Sequence, residues 1–386
     1  MMGEGGIYIH VPFCRRKCLY CDFYSVGERL ADWRRLVDAY LKEFESRKGE
    51  WSDFDAVTIY IGGGTPSLMP AEEFHRLASG IVSSLTANGG NGTRIVEFTI
   101  EVNPDDVTEE KARAWKEAGV NRVSMGVQSF CDDELKAIGR RHDAAGAEAS
   151  YAVLRRHFSN ISLDLMFGLP GQTLESLEES VCRVIQLKPE HVSVYSLTYE
   201  ENSALTRMRN SGKVAEAPED LSEGMFEGIR VRLESAGYEL YEISNYSRPG
   251  YRSRHNSNYW RGVPYVGLGP AAHSYNGNNQ RRWNIPDIKK YIQGIETDPE
   301  AVYEMEELTE NECREEMLLT ALRTKEGIDL NEYSCRFGAL ALKELERLAA
   351  PFVAGGNLAY SVPDGTRLHL TPSGVMISDT IISSLF

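Results

Sequence analysis

Between residues 7 and 244, short runs of β-branched and aromatic residues alternate with longer stretches in which apolar residues recur every three or four positions. This is the pattern of βαβ units and a parallel sheet, since parallel neighbours need a crossover of a dozen or more residues. Seven strands are predicted, at 7–11, 57–61, 96–102, 122–127, 161–166, 192–197 and 238–243. Leu30, Trp33, Leu36, Val37, Tyr40, Leu41 and Phe44 form the clearest helical face and predict a helix packed outside the sheet. Helices also start at Pro70-Ala71-Glu72-Glu73, Thr108-Glu109-Glu110 and Thr173-Leu174-Glu175, where a capping or φ-restricted residue precedes acidic side chains in the first turn.

The repeated order predicts an α/β fold with a complete or partial barrel, whose chemistry gathers on loops after the strands' carboxyl ends. The unusual segments 14–21, 62–66, 101–104, Gln128 and 168–171 all follow predicted strands. From 246 to 303 the periodicity weakens and Asn, Gly, Pro and aromatic residues accumulate, which predicts a long irregular bridge of the kind that more often has a function than not. Beyond 304, helical patterns at 311–323, 330–336 and 340–349 precede a strand-turn-strand pattern in 358–370, predicting a small, mainly helical C-terminal domain with a terminal hairpin. Three units follow, at 1–245, 246–303 and 304–386.

Composition adds exclusions. The 386 residues, 42% apolar, suffice for two or three domains and a real core. With 42 Lys+Arg against 57 Asp+Glu, the net charge of −15 repels phosphate backbones and anionic membranes. Nucleic acid is therefore not an expected partner, and peripheral membrane contact is expected only through a partner protein. The N-terminus lacks a basic signal-like region and no apolar run is long enough to span a bilayer, so a cytoplasmic protein is expected. Seven cysteines are an odd count that, in a reducing compartment, favours metal binding or catalysis over disulfides.

Three of those cysteines, in His10-Val11-Pro12-Phe13-Cys14-Arg15-Arg16-Lys17-Cys18-Leu19-Tyr20-Cys21, stand at C-x3-C-x2-C spacing after the first strand. Three thiolates leave one iron of a cubane 4Fe–4S cluster open to another ligand. Arg15, Arg16 and Lys17 are expected to favour the thiolate forms. Taken alone, the spacing also allows ordinary loop thiols or a zinc site short of one ligand. Gly62-Gly63-Gly64-Thr65-Pro66 follows the second strand; by itself it is either a tight turn or a loop whose amides approach a ligand.

The cysteine loop resembles the signature of the radical S-adenosylmethionine (SAM) superfamily, whose fold is a partial (β/α)6 TIM-like barrel. The resemblance implies that Cys14, Cys18 and Cys21 hold a 4Fe–4S cluster, that SAM chelates its open iron, and that reduction can yield a 5′-deoxyadenosyl radical. Tyr8, Tyr20, Gly63, Gly64, Thr65, Glu101, Gln128, Arg140, Asp164 and Thr198 match SAM-contacting positions of the coproporphyrinogen-oxidase-like branch. Met125-Gly126-Val127-Gln128-Ser129-Phe130 and the segment from Asp164 to Thr173 are similar to that branch in particular.

Within the branch, two families compete: the oxygen-independent coproporphyrinogen III oxidases and the HemW-type heme chaperones. The oxidase pattern has a further cysteine where this chain has Phe23, and a long extension where only 13 residues precede Cys14. His255-Asn256-Ser257-Asn258-Tyr259-Trp260 matches the chaperones' H-N-x-x-Y-W heme motif. Imidazole is a good axial ligand for iron, Tyr259 and Trp260 offer flat faces to a macrocycle, and Arg252, Arg254 and Arg261 can pair with propionates. Without the resemblance, the segment also reads as a solvent loop whose aromatics cover the barrel mouth. The chaperone resemblance implies binding of heme, through His255, Tyr259 and Trp260, and its transfer to an acceptor protein; the oxidase resemblance implies radical chemistry on a tetrapyrrole. No chemistry is expected of His10, His273, Cys131, Cys182, Cys313 or Cys335, the last four being read as small buried apolar residues in helices or at their starts.

Overall fold

The computed structural model describes residues 3–87 and 93–386. Its core is a run of six parallel strands: β1 (Gly3–Val11), β2 (Phe54–Gly63), β3 (Arg94–Val102), β4 (Arg122–Gln128), β5 (Ile161–Phe167) and β6 (His191–Ser196). They lie side by side in chain order, and the sheet has two open edges among the described residues, a partial rather than a closed barrel.

Each strand sends alternate side chains to opposite faces. On one face Ile7, Ile9, Val57, Ile59, Ile61, Val123, Met125 and Val127 are fully buried and join a single core with the covering helices. Fully burying such a side chain is worth about 1.5–3 kcal/mol, so this face holds the sheet to its helical shell. The other face carries Tyr8 and His10, Thr58 and Tyr60, Glu97 and Glu101, Arg122 and Ser124, Ser162 and Asp164, and His191 and Ser193. Parallel strands are ordinarily apolar on both faces. A polar inner face therefore marks a lumen built for something other than packing.

The outer helices begin where capping chemistry puts them. Asp32 accepts from the Arg35 amide at the start of α1 (Trp33–Ser46), and Thr108 from the Lys111 amide at the start of α3 (Glu109–Glu117). Between them α2 spans Ala71–Thr86. After α4 (Ala144–His157), Thr173 and Ser176 form a reciprocal capping box on α5 (Leu174–Leu187). Leu30, expected on the face of α1, lies in the preceding 3-10 turn and is exposed.

The seventh predicted strand, β7 (Glu239–Glu242), follows helix α6 (Glu219–Ser235) and lies at the sheet edge, antiparallel to β8 (Asn245–Ser247), which pairs antiparallel with β6. The irregular bridge expected over 246–303 is not irregular. It contains helix α7 (Arg254–Trp260), strand β9 (Tyr265–Leu268) parallel to β1, then β10 (His273–Tyr275), β11 (Gln280–Asn284) and helix α8 (Ile288–Thr297). With β12 (Tyr303–Glu307) they extend the sheet to twelve strands. These segments are short and rich in Asn and Gly, and they become strands because a sheet edge is there to pair with, a tertiary effect that local propensity does not carry. The glutamate-rich residues 304–316, whose charge pattern predicts a solvated helix face, are divided between β12, whose exposed glutamates guard the sheet edge, and α9 (Glu310–Ala321).

The C-terminal unit has its own core, built from α9, α10 (Leu330–Ala354) and a hairpin of β14 (Leu358–Tyr360) and β15 (Arg367–Leu370), joined by the short strand β13 (Ile328–Asp329). The two helices expected at 330–336 and 340–349 form one element broken at Gly338, whose φ of +87° interrupts the helical backbone. Of the cysteines expected as buried, Cys313 is buried, Cys131 and Cys182 are half-buried and Cys335 is exposed, its helix turning that position to solvent.

Helix α7 closes the lumen at the end where the strands begin. Glu97 accepts from the amides of Arg254 (2.9 Å) and His255 (3.0 Å), so one buried carboxylate holds the helix N-terminus. Glu97→Ala is expected to cost about 2–4 kcal/mol, because it strips these amides of their acceptor and leaves Arg122 less compensated. Urea denaturation of the two proteins measures the difference.

Candidate functional site

At the carboxyl end of the strands, the chain after β1 turns back so that Phe13 and Cys14 pair with Val26 and Gly27. Cys14 is buried, while Cys18 and Cys21 are half-buried. Thr65 Oγ1 donates to Cys14 Sγ (3.4 Å) and Arg140 Nη1 to Cys18 Sγ (3.4 Å). Of the expected cation cluster, Lys17 favours the Cys21 thiolate through its charge, without a hydrogen bond to it. Arg15 is bound to Glu28 (2.9 Å) and Lys17 donates to the Phe23 carbonyl (3.0 Å), so Arg140 is the cation that hydrogen-bonds a cluster-loop sulfur. Burial, reinforced by the neighbouring Cys18 and Cys14, pushes the Cys21 thiol up to about 11. A thiol that resists ionising in the free chain fits a site completed by a positive core, since bound metal deprotonates a thiol outright. Among the described residues no three His, Cys, Asp or Glu side chains converge as they would on a single ion. A cubane asks for something else, one thiolate on each of three different irons.

The glycine loop beside it has no room for side chains. The Gly64 amide donates to the Val11 carbonyl (2.8 Å), and a Cβ on Gly64 would lie 2.8 Å from the Val11 and Phe13 carbonyl oxygens. Gly63 adopts φ +106° with the His10 ring directly beneath it. His10 donates from Nε2 to the Tyr24 carbonyl (2.8 Å), so its Nδ1 accepts from Tyr8 (3.0 Å), and a structural role accounts for both nitrogens.

Glu101 joins the loop to the lumen. Its Oε1 accepts from the Tyr60 hydroxyl (2.7 Å) and its Oε2 from the Gly63 amide (3.1 Å). Burial, with Asp164 adding like charge, raises it to about 7 against those two hydrogen bonds. Asp164 is also raised, mainly by burial, and is held by the Ser124 hydroxyl (3.0 Å). Two carboxylates kept above their normal range fit a ligand that brings ammonium and hydroxyl groups. Gln128 ends β4 with φ +70° at a register shift, a strained backbone that turns its amide back over Gly126, toward Arg140. Arg140 reaches the Gly126 carbonyl and Asn103, with Nε buried and unpartnered. Tyr20 lies beside Cys18, Cys21 and Arg140. Thr198 sits exposed just past the end of β6.

The structure does not bring His255 to that end. Its ring is 1% exposed inside the opposite mouth, with Nδ1 bonded to Thr58 Oγ1 (2.8 Å) and Nε2 to the Tyr259 hydroxyl (2.8 Å). Burial, with Arg122 nearby, pushes it down to about 3, so the imidazole is neutral, the form that binds a metal. Trp260 is half-buried, its Nε1 unpartnered, beneath the Arg323 guanidinium. Arg252, Arg254 and Arg261 line one pocket of about 200 Å³ just outside, although Arg252 is paired with Glu239 and Glu326, and Arg261 with Glu4. That space is below the roughly 300–1,000 Å³ of typical ligand sites and suits a carboxylate arm better than a macrocycle. Tyr60 connects the two ends: it bonds Glu101 and stacks on His255 with ring centroids 5.0 Å apart.

Residues 8–182 match the Radical SAM superfamily model and residues 308–377 the HemN C-terminal domain model. "Heme chaperone HemW" of Bacillus subtilis is 37% identical over 86% of this chain and 86% of its own length, and that of Lactococcus lactis is 32% identical over 97% and 95%. The chain belongs to the HemW family of the radical SAM superfamily. HemW of Mycobacterium tuberculosis is 33% identical over 98% of the chain and 94% of its own length. Among solved structures, coproporphyrinogen III oxidase (HemN) from Escherichia coli superimposes with a TM-score of 0.82 at 21% identity, covering 99% of this chain and 90% of that one, a likeness of fold. Tyr60, Glu97 and Arg122, which tie this HemW-family lumen together, escaped the motif reading; the signal that could have found them is a polar residue at every second position of strands that a parallel sheet should make apolar.

The raised Glu101 sets a pH dependence. Its carboxyl stays protonated in the folded chain while the unfolded chain loses that proton, so stability should fall as pH rises from about 4.5 to about 7. Glu101→Gln should remove roughly 2 kcal/mol of that decline, as urea denaturation at pH 5 and pH 8 would measure.

Proposed function

We propose that this chain is a heme chaperone that carries heme to an acceptor protein in the cytoplasm and holds a 4Fe–4S cluster and SAM in the same half-barrel. Cys14, Cys18 and Cys21 hold the cluster. Gly63, Gly64 and Thr65 receive one end of SAM, and Glu101, Gln128, Arg140, Asp164 and Thr198, with Tyr8 and Tyr20, surround the rest. The bound cluster would supply one-electron chemistry and an open iron. The chain's own residues fix the geometry: Arg140 and Thr65 orient the sulfurs, and Glu101 offers a carboxyl that gains from a cationic neighbour.

The observation that carries the reading is the burial of a neutral His255, on the H-N-x-x-Y-W segment, in the same lumen as Glu101, with Tyr60 touching both. To hold heme iron, His255 Nε2 would have to give up its hydrogen bond to the Tyr259 hydroxyl, and Tyr259 and Trp260 would offer their rings to the macrocycle. Cargo binding would therefore displace a hydrogen bond at the mouth opposite the cofactor, and Tyr60, which stacks on His255 and bonds Glu101, would carry the change toward the cofactor end. The competing reading, a radical enzyme acting on a tetrapyrrole, draws on the coproporphyrinogen oxidase fold; Phe23, 67% exposed, stands where that enzyme family has a cysteine.

Anaerobic reconstitution should load about four irons per chain, and Cys14→Ser, Cys18→Ser and Cys21→Ser should each lose them. Hemin should give a saturable Soret shift from which His255→Ala removes the equivalent held in the lumen; no saturable shift in the wild type would remove the chaperone reading. Robust decarboxylation of coproporphyrinogen in the presence of SAM and reductant would establish the enzyme instead. Tyr259→Phe, which keeps the ring but releases Nε2, should bind hemin roughly three- to tenfold more tightly while losing about 1 kcal/mol of stability.

A further inference from the structure

Where the C-terminal unit meets the barrel, the chain leaves a cleft of about 650 Å³, within the range of cofactor sites and more than three times the pocket beside α7. One wall is the edge strand β7 with Tyr238 and Ile243; the other is the turn after α9 and the end of β15. The lining is mainly apolar, with Leu240, Ile243, Leu322, Leu370 and Val375 facing a common space. Packed domain interfaces do not ordinarily leave so large an apolar hollow open.

The polar groups in the cleft are unevenly satisfied. Arg230 is paired with Glu227 and Glu234, and Lys325 with Glu239. Arg323 makes no ion pair among the described residues; its Nε is buried without a hydrogen bond, and its guanidinium lies over Trp260 of the H-N-x-x-Y-W segment. Glu242, 2% exposed, bonds Asn245 through Oε1 and leaves Oε2 unpartnered. His369 lines the same space. Its Nδ1 donates to the Leu370 carbonyl (3.0 Å), and its Nε2 has no hydrogen-bond partner among the described residues.

The other histidines lack this combination. His10, His191 and His255 have both ring nitrogens bonded, and His157 is bound to Glu109. His142 is buried against the Val127 carbonyl, and His75 and His273 are exposed and line neither cavity. A histidine nitrogen without a hydrogen-bond partner, a guanidinium that stacks on Trp260 without an ion pair and an apolar lining in one cleft match a planar, iron-centred macrocycle bearing carboxylate arms.

We propose that this interdomain cleft is a second heme station, with His369 Nε2 as axial ligand, Arg323 pairing with a propionate, and Leu240, Ile243 and Val375 against the ring. The assignment rests on the chaperone reading for the identity of the cargo, but not on His255. Binding is coordination alone, with no bond broken in the chain and no change of oxidation state. Because Arg323 touches both the cleft and Trp260, cargo in the cleft lies next to the segment that would hold it in the barrel, and a carrier with two adjoining stations can receive heme at one while offering it from the other.

Hemin titration of the full chain, followed in the Soret region, tests this. The wild type should bind about two hemin per chain, and His369→Ala about one, with Arg323→Ala weakening the same equivalent roughly tenfold. Val375→Trp, which fills the cleft and leaves His369 in place, should remove that equivalent too. Loss of one equivalent in His369→Ala with the circular dichroism melt unchanged supports the cleft site. Wild-type binding of a single hemin that neither His369→Ala nor Val375→Trp alters overturns it and leaves the chaperone reading standing; no saturable hemin binding by the wild type overturns both.

Discussion

Charged side chains on the inner face of a parallel sheet are the constraint from which the rest of the molecule follows. Glu97, Glu101, Arg122 and Asp164 come from neighbouring strands whose other faces are packed with Ile, Val and Met. A charge withdrawn from water must find donors, acceptors or an opposite charge, or change its protonation state. Glu97 is satisfied by the first amides of α7, which is why that helix sits in the mouth of the lumen at all. Glu101 and Asp164 are satisfied less completely and hold their protons more tightly. Arg122, fully enclosed, keeps Nε and Nη1 unpartnered.

That arrangement sorts the lumen into two ends. At the carboxyl end the sulfurs, the glycine loop and Glu101 are drawn together by contacts as short as the Gly64 amide on the Val11 carbonyl (2.8 Å). At the other end Thr58, Tyr60 and Tyr259 surround His255, and burial with Arg122 nearby keeps it neutral. Because β1 rises about 3.3 Å per residue, the five steps from Gly6, against His255, to Val11, against the glycine loop, separate the ends by roughly 16 Å. Tyr60 spans part of that gap, and a shift in its hydroxyl or its ring is felt at Glu101 and His255 alike.

The C-terminal unit docks on the exposed edge of the sheet in backbone terms: the Ile243 amide donates to the Arg323 carbonyl (3.0 Å) and the Lys325 amide to the Tyr241 carbonyl (3.0 Å). An edge strand that would otherwise offer unpaired groups is covered in this way. Main-chain bonds fix the approach of the two units while their apolar side chains remain apart, so the hollow between them is a product of the docking geometry.

The strands and helices of the first 245 residues were legible in the sequence because each long crossover leaves a strong periodic trace, and the cysteine, glycine and H-N-x-x-Y-W segments because special chemistry needs special residues at fixed spacing. The strands within 246–303 were not, since residues such as Gly267 and Asn284 join a sheet only when an edge is presented to them. Motif spacing likewise pointed to Arg15, Arg16 and Lys17 around the thiols, whereas the fold spends Arg15 on Glu28 and brings Arg140 from more than a hundred residues away. The amino-acid order by itself determined which groups the chain carries and which faces are apolar. Only the tertiary structure decided that His255 is enclosed with both nitrogens engaged while His369 keeps one free, because burial and hydrogen-bond partners belong to residues distant in the chain.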